Sequence, residues 1–188
     1  MWARSFSLIL LFLLLMSSTS SGSPVPEKLG IGFVPSPELV KAWDTAIQPD
    51  GRGLPPGKGC VTDGQRIYVE QCQVCHGISG KGGQYDVLAG RLAENLFPFA
   101  AESGHPKTIG NYWPWATTLF DYIRRSMPLL TPGTLSDNDV YALSAYLLHL
   151  NELLPESACL DAASLPQIEM PANKRFVPDN RLETSAVR

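Results

Sequence analysis

The chain has 188 residues, 44% of them hydrophobic and 18% charged, with a formal charge of −3. That apolar fraction supports a real core and excludes general disorder. Mild acidity without any run of Lys or Arg excludes the clustered cations that a nucleic-acid binder needs to neutralise phosphate.

The first element in chain order reads as an export signal. Arg4 precedes the unbroken apolar run from Leu8 to Met16, and Ser17 to Ser23 is small and polar. The run is shorter than the about 20 apolar residues of a spanning helix. The pattern therefore predicts a cleaved signal over residues 1–22, with no stable membrane span afterwards; the competing reading is an uncleaved tether. Export places the chain in an oxidising compartment, where thiols are paired or otherwise occupied. Prolines at 24, 26 and 35 predict an extended stretch over a surface. Ser36-Pro37-Glu38 reads as a helix start, with a side-chain cap, Pro in the first turn and an acid near the positive helix end; the helix is expected to reach about Ile47. Residues 48–59 are turn chemistry. Thr62 and Gln65 are spaced as a capping box for a helix that carries Ile67 and Tyr68 and ends near Cys72–Cys75.

A glycine-rich loop is expected over 77–92 and a short helical piece over 93–100. Trp113-Pro114 opens another helix, with Ala116, Leu119, Phe120, Ile123 and Met127 at helical spacing. Pro128 ends it, because the residue before a proline is pushed out of the helical region. Ser136, with Asp139 at the third position, caps the last clear helix. Val140, Leu143, Leu147, Leu150 and Leu154 recur at threes and fours, which predicts one buried face. No segment reads as a strand. The class is mostly α.

Glu70 to Gly77 reads EQCQVCHG. C-x-x-C-H is the attachment signature of c-type haem. Two thiols must add to two vinyl groups on one edge of a flat macrocycle, and two intervening residues let one helical turn present both. The adjacent imidazole then supplies a neutral nitrogen to the iron. Cys72 and Cys75 are thus the expected covalent attachments of a single haem c, and His76 an axial ligand. Zinc needs further ligands, and neither Cys60, Cys159, His105 nor His149 forms a second close pair. A redox dithiol expects a βαβ setting that is not present. Met127 and Met170 are both candidates for the second axial position, since methionine and histidine are common there. Met127, fixed by the following proline, is the stronger, although methionine also serves as core filler at helix ends. His105 is weaker, and His149 reads as a surface histidine.

With these motifs in place, residues 62–152 resemble a class I cytochrome c. Gly64 and Tyr68 are similar to that family's first helix; Val140, Leu143, Tyr146 and Leu147 are similar to its last; Ser126-Met127-Pro128 resembles its methionine loop. The resemblance implies a class I cytochrome c fold with an N-terminal extension and a C-terminal tail. It also implies Met127 as the sixth ligand, and two crossing helices with the small glycine at their contact. Crossing helices would bring Cys60 and Cys159 into one neighbourhood, and a disulfide between them is expected; the alternative is two separate buried thiols.

Two longer stretches, AWDTAIQPDGRGLPPGKG at 42–59 and TIGNYWPWATTLFDYIRRSMP at 108–128, resemble the cytochrome subunits of Sox-type sulfur and sulfite dehydrogenases. That likeness implies a periplasmic electron-transfer subunit, with no bond chemistry of its own. It would receive electrons from a molybdenum-cofactor subunit and pass them to another cytochrome c or an oxidase. A free-standing cytochrome shuttle is the runner-up, and a haem enzyme with an open sixth position the third reading. No second C-x-x-C-H occurs, so a monohaem form is implied. The implied organisation is an extended partner-docking segment over 23–59, a haem domain over 60–154 and a tail over 155–188. Arg91, Tyr112, Trp113 and Trp115 can donate hydrogen bonds and are candidate propionate or pocket contacts, with ordinary core packing as the alternative for the aromatics. Leu88, Leu119 and Ile123 are candidate pocket lining.

Overall fold

The computed structural model describes residues 30–93, 96, 98 and 104–177; the expected signal over 1–22 lies outside them, as does most of the short helical piece expected over 93–100. The chain divides into a unit ending at Lys41 and a second from Ala42 onward. Residues 30–36, in the first, are exposed and lead into helix α1, Pro37–Trp43, whose last two residues belong to the second. Ser36 Oγ accepts the Leu39 N–H at 3.2 Å, as a capping serine should. The helix buries no residue and ends at Trp43, four residues short of the expected Ile47. Beyond it the chain must extend, because Ile47 is drawn into the core of the second unit.

Residues 47–59 wrap their own domain. The Thr117 hydroxyl donates to Pro49 O at 3.0 Å, the Tyr141 hydroxyl donates to Pro55 O at 2.8 Å, and the Lys58 N–H donates to Asn138 Oδ1 at 2.9 Å. This stretch ends in a strand that the sequence did not announce. β1, Lys58–Cys60, pairs antiparallel with β2, Cys159–Asp161, with Cys60 opposite Cys159. The two cysteines form a disulfide across a separation of 99 residues. Strands of three residues carry too little alternation to be read from sequence.

Helix α2, Val61–Gln71, starts one residue earlier than the expected cap and uses none of the Thr62 capping box: Cys60 is its N-cap, without a side-chain bond. The residue just before β2 supplies the missing acceptor, because Val61 N–H donates to Ala158 O at 3.0 Å. A short helix α3, Gln73–His76, follows directly. Further on come α4, Ile109–Tyr112, and α5, Ala116–Ser126. Helix α6, Asp137–Leu150, carries the full capping box between Ser136 and Asp139.

The expectation of one buried face on α6 is too modest. Val140 through Leu148 are all buried, because α2, α5 and both strands pack around it. Tyr68 meets Tyr146 at 5.4 Å between ring centroids, and Phe120 meets Tyr141 at 4.4 Å. Each large apolar side chain sealed here contributes about 1.5–3 kcal/mol over its exposed state. Among the described residues, the C-terminal tail beyond β2 has two short 3-10 turns, Leu165–Gln167 and Asn173–Arg175, and it delivers Leu165 and Met170 to the same core.

Candidate haem site

The break between α2 and α3 falls at Cys72. Its N–H still donates to Tyr68 O at 2.9 Å, and its own carbonyl then accepts the N–H groups of Cys75 and His76 at 3.1 and 3.0 Å. One turn of backbone therefore presents both thiols and the imidazole. The Tyr68 hydroxyl fixes the far end by donating to Gly77 O at 2.9 Å. Gly77 has φ of 77°, and a Cβ there would run into the Lys81 carbonyl, so the residue after His76 has to be glycine for the loop to turn back.

That loop returns over its own start. The Tyr85 N–H donates to Cys75 O at 3.2 Å, and His76 Nδ1 lies 3.0 Å from Asp86 O. A carbonyl only accepts, so Nδ1 carries the proton and Nε2 is left as a bare donor of electrons. This is the arrangement of a metal-ligating histidine with its other nitrogen anchored.

Both thiols are unbridged, whereas Cys60 and Cys159 are joined to each other and so cannot complete a zinc site with them. Cys72 rests partly buried against the hydrophobic core. Burial, and secondarily the neighbouring Cys75 thiol, push its pKa up to about 11, so it is a protonated thiol at neutral pH.

The two methionines have different fates. Met170 is buried in the core, with 4% of its surface exposed, and acts as filler. Met127 is only partly buried at the edge of the same core. It caps α5 in extended conformation, its N–H donating to Ile123 O at 3.0 Å, and Pro128 follows. Two free thiols, an imidazole with Nδ1 committed, and a thioether at the core margin fit a c-type haem.

The four other candidates have different surroundings. Arg91 donates to Glu152 O at 3.3 Å and, with Lys81, His105 and Asn111, lines a cavity of about 330 Å³. Tyr112 lies under the Lys107 ammonium at 4.8 Å and meets Phe176 edge-on at 5.7 Å. The Trp113 indole N–H is engaged by Thr118 Oγ1 at 3.0 Å, and Trp115 is exposed at the head of α5. Leu88 is partly buried beside the core, while Leu119 and Ile123 lie within it. His149 is not a surface residue: it is half-buried, with Nδ1 3.0 Å from Leu154 O. Sequence reasoning missed Asn151, although an Asn directly after a helix is a recognisable C-terminal signal.

Residues 60–147 match the family model described as cytochrome c oxidase, cbb3-type, subunit III. A chain in the crystal structure of the sulfane dehydrogenase SoxCD from Paracoccus pantotrophus is 39% identical, with a TM-score of 0.70, over 82% of this chain and 74% of that one. The chain belongs to the cytochrome c family. Among curated proteins, this cytochrome is similar to the thiosulfate dehydrogenases of Stutzerimonas stutzeri (strain A1501), 33% identical over 97 residues, and Psychrobacter arcticus (strain DSM 17307 / VKM B-2377 / 273-4), 27% identical over 112 residues. These matches cover 50% and 55% of this cytochrome but only 28% and 31% of the dehydrogenases. The chain thus spans under a third of their length. As a member of the family it is a haem protein related to the cytochromes of sulfur-compound oxidation. Among the described residues, no helix is long and apolar enough to cross a membrane.

Proposed function

We propose that this cytochrome carries one covalent haem c and is the periplasmic electron-transfer subunit of a molybdenum-containing sulfur-compound dehydrogenase. The observation that carries the haem assignment is His76: its Nδ1 is committed to Asp86 O, 3.0 Å away, while Cys72 and Cys75 stand free on the same turn. When bound, the haem supplies one-electron ferric/ferrous chemistry. Cys72 and Cys75 would hold it by thioether bonds, and His76 Nε2 and the Met127 thioether would be the groups offered to its iron. A methionine in that position favours the ferrous state and leaves no open coordination site, which suits a carrier rather than a haem catalyst.

The likeness to a SoxCD chain over most of this sequence supports a sulfur-oxidising partner. The partner-docking segment expected over 23–59 divides. Residues 47–59 wrap their own domain, whereas Ile31, Phe33, Val34 and Trp43 are each at least 80% exposed. We assign residues 30–43 as the part that docks on the molybdenum subunit, since such exposed apolar side chains mark interaction sites. The electrons then go to a downstream cytochrome c or an oxidase.

Purification from the native periplasm, followed by metal analysis and a sulfite assay read at the haem absorbance, tests the reading. Molybdenum in the complex and haem reduced on adding sulfite are expected. A lone haem protein that ignores sulfite would overturn the partner and leave a free-standing cytochrome shuttle.

A further inference from the structure

Asn151 is fully buried, and its amide makes all four of its hydrogen bonds. Oδ1 accepts the N–H groups of Gly90 and Gly110, both at 3.0 Å; Nδ2 donates to Leu147 O at 2.8 Å and to Leu88 O at 3.2 Å. One side chain at the end of α6 therefore joins that helix to α4 and to the segment 88–90. The same segment is gripped elsewhere. Thr108 Oγ1 donates to Gly90 O at 2.5 Å, Ile109 N–H to Leu88 O at 3.1 Å, and Leu88 N–H to Gly80 O at 2.9 Å.

Two residues before Leu88 stands Asp86, whose carbonyl holds the His76 ring. Asp86 is exposed and stands between two fixed points, the Tyr85 N–H bond to Cys75 O on one side and residues 88–90 on the other, so a shift of 88–90 moves its carbonyl against the anchored Tyr85. Among the described residues, Asn151 is the anchor that bonds both the first and the last residue of that segment.

We infer that Asn151 is a positioning residue for the iron ligand. It pins residues 88–90 so that the Asp86 carbonyl accepts squarely from His76 Nδ1. The inference rests on the reading of His76 as the axial ligand. A firm Nδ1–H···O bond makes the imidazole a stronger donor, which favours the ferric state. Loosening the bond weakens the ligand and favours the ferrous state.

The test uses the holoprotein and the variants Asn151→Asp and Asn151→Ala. Aspartate can still accept from Gly90 and Gly110 but offers nothing to Leu88 O, so it releases that end. Both variants are expected to raise the reduction potential by about 59 mV, a tenfold higher ferrous:ferric ratio at fixed poise for a one-electron couple. The His76 Nδ1 proton, followed by NMR in the ferrous state, is expected to exchange about tenfold faster as its bond loosens.

Thr108→Val removes the hydroxyl bond to Gly90 O, together with the cap that the hydroxyl gives the Asn111 N–H at the start of α4. It is the milder variant should the Asn151 variants fail to fold, and it should move both readouts in the same direction. Leu160→Ala, on β2 and bonded to none of these segments, controls for plain loss of stability. Unchanged potential and exchange in the variants that fold, or equal shifts in Leu160→Ala, would overturn the inference. A wild-type haem spectrum without histidine ligation would overturn the His76 assignment itself, and the inference with it.

Discussion

Gly64 on α2 lies against the backbone of Ala142 on α6, so closely that a Cβ at position 64 would collide with the Ala142 carbonyl and with Tyr146 Cβ. The two helices cross at this point, and everything C-terminal on α2, including the turn at Cys72, takes its position from the contact. Gly64→Ala is therefore expected to destabilise the fold by about 3 kcal/mol, the upper end of ordinary overpacking. Urea denaturation of the holoprotein would measure it. A loss below about 1 kcal/mol would mean that the helices separate cheaply and that the crossing does not set the site.

The Cys60–Cys159 disulfide closes the domain at its strand pair. In the chain-entropy view a crosslink over about 100 residues stabilises by up to about 4.7 kcal/mol. Replacing both cysteines by alanine should lower the denaturation midpoint substantially while leaving the native haem spectrum unchanged, since neither thiol belongs to the haem turn. A double variant that unfolds at the wild-type midpoint would show that the paired strands alone hold the two ends together.

What could be read from sequence follows from how local each signal is. Cys72, Cys75 and His76 fall within five consecutive residues, and their spacing alone points to the chemistry. The Ser136 and Asp139 capping box is equally local, and it forms as expected. The Thr62 box fails because a distant carbonyl, Ala158 O, takes over the start of α2. The strands at Lys58–Cys60 and Cys159–Asp161 are invisible singly and exist only as a pair. Likewise, nothing near Asn151 in the chain says that it will bond Gly90 and Gly110. Met127 is favoured over Met170 by its place before Pro128, and the difference in their burial is a further fact that the sequence does not carry.

Alkaline pH should weaken the fold through two buried tyrosines. Burial raises Tyr141 and Tyr68 from about 10 to about 12. The unfolded chain ionises first, so their stabilising contribution is complete below about pH 10 and is lost as the pH rises through about 12. Tyr141→Phe also removes the bond to Pro55 O, costing about 1 kcal/mol near neutrality. Its disadvantage against the wild type should narrow between about pH 10 and 12. A constant gap in urea midpoints across that range would show that Tyr141 ionises freely in the native state.

The exposed apolar residues of the N-terminal segment can be changed without touching the core. Phe33→Ser and Trp43→Ser, at 80% and 81% exposure, are expected to alter stability by no more than about 0.5 kcal/mol. Together they should abolish co-purification with the molybdenum subunit. Retained complex would move the docking face elsewhere on the domain, even with the haem assignment intact.

Met127 and Met170 make opposite predictions. Met127→Ala should open one axial position: the ferric protein would lose the absorbance band of thioether-ligated iron, bind cyanide or azide quickly, and show a lowered potential, since methionine ligation raises it. Met170→Leu should leave all three properties unchanged and cost less than about 1.5 kcal/mol, as volume-conserving core exchanges do. The physical basis is the difference in burial: Met170 is enclosed by the core cluster, whereas Met127 lies at its margin on a backbone fixed by α5 and Pro128. If Met170→Leu opened the iron to cyanide while Met127→Ala did not, the tail rather than the end of α5 would supply the sixth ligand. The core contact of Met170 would then have to give way when haem is bound.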